Sequence, residues 1–276
     1  WLAPYSTFMA LKRHFGGNPW YEWDRRYTNF QESKSGSLLD DLKESIDAYS
    51  FYQYLFFGHW LQIRRHAKKR GIGIVGDIPI FVAHDSADVW ANPEIFQLEK
   101  DGMPTAVAGV PPDYFAKKGQ LWGNPLYNWK MLRQTDYRWW LDRMAMNLSL
   151  FDVVRLDHFR GLESYWRVPS TATDARSGRW VKGPGFSFLR ALKNAFPDAG
   201  IIAEDLGEIT PEVRALLEKS GLPGMAILQF AFGGGSKNLY LPHNLRPNCV
   251  CYPGTHDNDT ARCWYQEADA DIRDHV

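Results

Sequence analysis

The strongest constraint on this chain is the stretch FDVVRLDHFRGL, from Phe151 to Leu162. Val153 and Val154 form a short β-branched run, suited to a strand buried on both faces. Charged residues follow it directly: Arg155, Asp157, His158 and Arg160, before Gly161 closes a turn. A buried strand that ends in charges puts ionisable groups at one rim of a sheet. Arg155 and Asp157 are two residues apart, so on a strand they point to the same side. An arginine beside a carboxylate favours the ionised form, which suits a nucleophile better than a proton donor. Read alone, the same pair would serve equally as a salt bridge capping a strand, since structural ion pairs also perturb carboxylates.

The pattern recurs. IIAED (201–205) and CYPGTHDN (251–258) are apolar runs that also end in acids. The first seventy residues read as a helical segment. A turn at Gly16-Gly17-Asn18-Pro19 interrupts it, Ser37 opens one helix, and a strongly aromatic helix runs from about 48 to 70. A strand is expected over 72–82, carrying Asp77, and a helix over 136–150. Between them, 83–135 is a long connection with PPDYFAKKGQLWGNPLYNW at its centre, of the length usual for a lid or binding segment. Then come a helix over 186–196, a strand over 200–204, and a helix that Thr210-Pro211 opens and Gly221 closes. Strands over 225–230 and 249–252 follow, and the chain is expected to be helical from Thr260 onward. Five strands, each after a helix, predict a parallel α/β fold without a glycine-rich phosphate turn. Acids at the same end of successive strands suit a (β/α)8 barrel, where catalytic groups gather at the C-terminal strand ends.

The 276 residues carry 32 basic and 32 acidic side chains, which argues against nucleic acid or an anionic membrane as partner. No apolar run reaches the roughly 20 residues that a membrane-spanning helix needs. The opening WLAPYSTFMALKRHF has no signal-peptide pattern and reads as the middle of a domain. Cys249, Cys251 and Cys263 fit neither a disulfide framework nor a zinc pattern, so a reducing compartment is expected. Aromatic residues make up 15% of the chain, and flat rings stack on sugars and bases as well as filling cores; with zero net charge, sugars are favoured.

Glu204 follows four apolar or small residues, a setting that raises a carboxyl's pKa as a general acid requires. Two carboxyls driven apart in pKa, Asp157 low and Glu204 high, are the arrangement of glycoside chemistry. His256-Asp257 would be a third element, bonding sugar hydroxyls as positive charge develops, or else a polar turn before the helix at Thr260. His84, His158 and His256 have no metal-ligand spacing. No metal or other cofactor is expected.

RLDHFRG, IAEDLG and THDN resemble the motifs at strands four, five and seven of the α-amylase clan. GDIPIFVAHDSADVW and PPDYFAKKGQLWGNPLYNW are similar to the 4-α-glucanotransferases (amylomaltase or disproportionating enzyme, glycoside hydrolase family 77). The resemblance runs the length of the chain and implies a retaining mechanism. Asp157 matches the nucleophile, Glu204 the general acid/base and Asp257 the aspartate that stabilises the transition state. Arg155, His158, His256 and Asn258 match substrate-binding positions around them, and Asp77 ends the third strand as in the clan's first motif. Asp113, Tyr114, Phe115, Gln120 and Trp122 match the lid loop and the acceptor-side aromatic. Transfer, as against hydrolysis, needs a bound acceptor and a cover that limits water.

The resemblance implies an incomplete barrel of about strands three to seven, lacking both ends. Residues 1–276 are then a partial catalytic barrel, with 1–70 as a helical insertion and 83–135 as a lid or insertion. The function implied is cytoplasmic (or, in a plant or alga, plastid) transfer of α-1,4-glucan segments between maltooligosaccharide, starch or glycogen donors and acceptors. The alternatives are an α-glucan hydrolase of the same clan and a non-catalytic glucan-binding protein.

Overall fold

The computed structural model describes residues 1–276 except 114 and 115. Its centre is a set of short parallel strands: β1 (Val75–Ile78), β4 (Val153–Leu156), β7 (Gly200–Ala203), β8 (Gly224–Ile227) and β9 (Cys249–Tyr252), with β2, β3, β5 and β6 elsewhere. β4 lies between β1 and β7, parallel to both, with Asp77 opposite Arg155 and Arg155 opposite Ile202. β8 and β9 form a second parallel pair. β7 adjoins β8 through a bond from the Ala203 amide to the Pro223 carbonyl (2.8 Å) and through packing of Ile202 on Met225 and Ile227.

These are the five strands expected from the apolar runs; the last, over 249–252, keeps its expected bounds and others are shorter. The strand expected over 72–82 stops at Ile78, and the one over 225–230 gives way after Ile227 to a single 3-10 turn, Leu228–Phe230. Four-residue strands suffice because helices cover one side. Helix Arg138–Leu150 buries Trp140 and Met144; helix Phe186–Ala195 buries Phe188, Leu189 and Leu192; helix Pro211–Ser220 buries Val213, Leu216 and Leu217. Helix Pro211–Ser220 begins with proline and ends at Gly221 in the left-handed region (φ 74°), as its sequence predicts. After Thr260 there are two short helices, Ala261–Glu267 and Ala270–His275, where one was expected.

A second sheet was not anticipated. β2 (Ala106–Val110), β3 (Gln120–Pro125), β5 (Ser164–Pro169) and β6 (Arg179–Lys182) pair antiparallel in the order β3-β2-β5-β6. The segment 83–135 thus contributes two strands to a sheet completed from the residues after β4. A core of buried aromatics, Trp90, Tyr127, Trp140, Phe159 and Phe188, joins this region to the parallel strands.

At the other side lies helix Lys43–Lys69, seated by Trp60 Nε1 on the Leu150 carbonyl (2.9 Å) and by Arg64 on the Phe151 carbonyl (3.0 Å). None of its residues is buried, and Phe51, Tyr52, Tyr54 and Phe56 are exposed. No helix among the described residues is long and apolar enough to cross a membrane.

Candidate active site

The ends of β1, β4 and β7 bring Asp77, Arg155, Asp157 and Glu204 together. Parallel pairing sets Asp77 beside Arg155 in register, and the arginine grips it with two bonds, Nε to Oδ1 (2.9 Å) and Nη2 to Oδ2 (2.7 Å). The same Nη2 reaches Asp157 Oδ1 at 3.1 Å. Arg155 and Asp157 therefore do share a side of the strand, but Asp77 takes the better part of the guanidinium.

That sharing corrects one expectation. Arg155 does pull the Asp157 carboxyl down, yet burial pushes it up more strongly, and Asp77 and Asp257 add to the rise. The net direction is above the ordinary carboxylate value, because desolvation disfavours charge more than one shared arginine restores it. Glu204 is raised as well. Burial and the neighbouring Asp157 push it up to about 7, against the opposing pull of two backbone amides and Arg155. Those amides hold the carboxyl in place: His158 N donates to Oε2 and Leu206 N to Oε1, both at 2.8 Å. Both carboxyls are thus raised, Glu204 to about 7, where the sequence had implied a low Asp157.

His158 sits just past β4 in the left-handed region (φ 51°). Burial and Arg160 lower its pKa to about 4, so the ring is neutral at pH 7. The edge of its ring meets Trp122 of β3 (centroids 4.9 Å, 78°), and Phe81 lies beyond at 6.4 Å. Trp122 Nε1 donates to Gln120 Oε1 (3.0 Å), which fixes the indole at the mouth of the site. Asp113 Oδ1 accepts from the Ala116 amide (2.5 Å) in the loop between β2 and β3. Tyr114 and Phe115 lie outside the described residues.

His256, Asp257 and Asn258 follow β9. Asn258 Oδ1 closes the turn by accepting from Thr255 N (2.9 Å) and Thr255 Oγ1 (3.0 Å), so its carbonyl end shapes the loop. Asp257 and His256 are exposed and face each other at 3.5 Å. The charge of Asp257 is felt at Asp157, which it helps to raise. Gln229 supports the loop from below, with Nε2 donating to the Asp259 carbonyl (2.8 Å).

Asp205, beside Glu204, has a structural role: it is buried, accepts from Met225 N (2.6 Å) and pairs with Arg246 (2.7 Å). Sequence reasoning missed Tyr240, whose hydroxyl is pushed up by burial, then by Asp205 and Glu204. It comes from the glycine- and asparagine-rich loop before β9, where no periodicity points to it. Phe81 was also missed, although it lies within the apolar run after Asp77.

An aspartate beside a glutamate whose carboxyl is pushed up to about 7, flanked by an arginine, a neutral histidine and an exposed tryptophan, can attack and protonate a glycosidic bond. Comparison with known proteins identifies the family. The chain is 48% identical over 270 residues to the 4-alpha-glucanotransferase of Thermus thermophilus, covering 97% of this chain and 54% of that protein. It is 47% identical over 267 residues to the 4-alpha-glucanotransferase of Clostridium butyricum, covering 96% and 55%. Among solved structures, an amylomaltase from Streptococcus agalactiae in complex with acarbose matches with a TM-score of 0.94 at 37% identity, over 100% of this chain and 56% of that one. The chain spans about half the length of the curated relatives it matches. Residues 1–276 all match one family, and the chain belongs to it: the 4-alpha-glucanotransferases of glycoside hydrolase family 77.

Proposed function

We propose that the protein carrying this chain transfers α-1,4-glucan segments between oligosaccharides by a retaining double displacement. The observation that carries the reading is the pair at the ends of β4 and β7: Asp157, and Glu204 with its carboxyl pushed up to about 7. In the first step the Asp157 carboxylate attacks the anomeric carbon, and the leaving C4 oxygen takes the proton of Glu204. In the second, Glu204, now a carboxylate, takes the proton of an acceptor 4-hydroxyl as that oxygen displaces Asp157. Asp257 stabilises the positive charge that develops on the sugar in each step. Arg155, Asp77, His158, His256 and Asn258 surround the donor sugar, with neutral His158 able both to donate and to accept.

Transfer wins over hydrolysis only where an acceptor is held and water is kept out. Trp122, 37% exposed and fixed by Gln120, offers the acceptor a stacking face beside His158. Asp113 of the same segment (83–135) belongs to the cover in this reading, and Tyr114 and Phe115, outside the described residues, are the side chains whose replacement by alanine would test it.

The five parallel strands are positions three to seven of an eight-stranded barrel, with 1–70 as its helical insertion. The bare aromatic face of helix Lys43–Lys69 and the outer edges of β1 and β9 are where the remaining strands and helices pack. The three free cysteines fit a reducing compartment, cytoplasm or plastid.

Incubating the full-length protein with maltotriose tests this. Transfer yields glucose together with maltopentaose and longer chains. Glucose and maltose without longer chains would mean a hydrolase, and unchanged maltotriose a binding protein.

A further inference from the structure

Apart from lowering the His158 pKa, Arg160 takes no part in the chemistry above, yet it is 6% exposed, and among the described residues only Asp205 shares such burial of a charged side chain. Asp205 has Arg246 at 2.7 Å; Arg160 has no such partner. Its nearest carboxylate, Glu208, is 4.0 Å away and mostly in solvent. Its Nε is buried without a hydrogen-bond partner. A charge desolvated this way is unfavourable unless geometry demands it, and an apolar side chain would fill the space at less cost.

The geometry is specific. The guanidinium lies 3.8 Å over the Trp180 ring of β6, and Nη1 donates to the main-chain carbonyl of Glu208 at 2.5 Å. Arg160 itself belongs to the loop after β4, so it ties together three elements: that loop, β6, and the loop after β7. The two loops are the ones that hold the acids. Phe159 N donates to the Glu204 carbonyl (3.0 Å), and His158 N and Leu206 N hold the Glu204 carboxyl. Between Leu206 and Glu208 stands Gly207 in the left-handed region (φ 84°), a point where this loop can turn freely. Arg160 grips the chain just beyond that point.

We propose that Arg160 is a positioning residue: clamped on Trp180, it holds the loop after β7 against the loop after β4 and so aims the Glu204 carboxyl at the glycosidic oxygen. This rests on the reading of Glu204 as the general acid/base. Arg155 and Asp157 from β4, and Tyr240 from the loop before β9, are the groups whose charge couples to Glu204; Arg160 is not among them and acts through the backbone.

The test compares two donors in the full-length protein. Maltotriose needs a proton on its leaving oxygen, whereas the fluoride of α-maltosyl fluoride departs without one. For Arg160→Met, kcat/KM on maltotriose should fall about 100-fold while that on α-maltosyl fluoride stays within about threefold, the selective loss expected when an acid is misaimed. Trp180→Leu should show the same selectivity in weaker form. Glu208→Gln keeps the main-chain carbonyl and should behave as wild type. Equal losses on the two donors would mean a general structural role, and no loss would mean no role; either overturns the proposal. Arg160→Lys keeps the charge but cannot stack as a plane, and stands in by the same criterion if Arg160→Met does not fold. Glu204→Gln must itself show the selective loss. If it does not, the reading of Glu204 is at fault, whatever Arg160 does.

Discussion

Glu204 stores a conflict between stability and function that can be measured without any substrate. Its carboxyl has an ordinary value of 4.5 and is pushed up to about 7 in the folded protein, chiefly by burial. The sign follows from proton counts. Between those two pH values the unfolded chain has released this proton and the folded chain still holds it. Raising the pH therefore favours unfolding, and the stability present below pH 4.5 is lost as pH climbs through 7. At about 1.4 kcal/mol for each unit of pH, the full loss from this one group is about 3 kcal/mol.

Glu204→Gln removes the titration. The amide can accept from His158 N or Leu206 N but turns its NH2 toward the other, a pH-independent cost of about 1–3 kcal/mol. Other titrating groups are common to both proteins and largely cancel in the difference. The variant should thus be less stable than wild type at pH 4.5, and the gap should close by about 3 kcal/mol at pH 8. Urea unfolding of both proteins at the two pH values measures it. A stability difference that is the same at both would refute the argument, because Glu204 would then ionise as freely folded as unfolded.

How much of this could be read from sequence depends on how locally each feature is encoded. The five parallel strands were legible because each is a short apolar run; four of them have a helix before them, while only the 3-10 turns Leu228–Phe230 and Pro242–Asn244 separate β9 from β8. The proposed catalytic acids Asp157 and Glu204 were legible for the same reason, since VVRLD and IIAED each carry burial and charge within a few residues, whereas Asp257 of THDN is exposed. The antiparallel sheet was not. Its strand β2 pairs with β5 some sixty residues later, and sequences such as AVAGV and RWVK become strands only beside those partners. Arg155 was assigned to Asp157 because the two are neighbours in sequence, whereas its main partner is Asp77, 78 residues earlier. The aromatic content was read as a sugar-binding signal, but the largest buried side chains, Trp90, Trp140 and Tyr127, are core. Of the rings at the site, Trp122 was found from family resemblance, while Tyr240 had no local signal.

Three more perturbations follow from the same geometry. Asp157→Asn should abolish turnover and prevent trapping of a glycosyl adduct by a fluorinated α-glucosyl fluoride, read by mass spectrometry; an adduct at another residue would move the nucleophile elsewhere. Gly76→Ala should destabilise the fold by about 1–3 kcal/mol in thermal or urea unfolding, because a Cβ there overlaps the Phe151 ring under β1. Asp77→Asn is the sharpest probe of how Arg155 is shared. Asp77 holds the guanidinium by two bonds and also repels Asp157, so replacing it both removes a like charge and frees Arg155 for Asp157. Both changes lower the Asp157 pKa, which moves the acidic limb of the kcat/KM profile to lower pH. Asp77 is 46% exposed in its side chain, and solvent screening limits the move. A more acidic nucleophile is also a weaker one, and a loosened Arg155 orients it less well, so the plateau should fall about tenfold or more. An acidic limb that moves to higher pH would mean that Asp77 serves Asp157 by keeping Arg155 in place, with its own negative charge of no consequence.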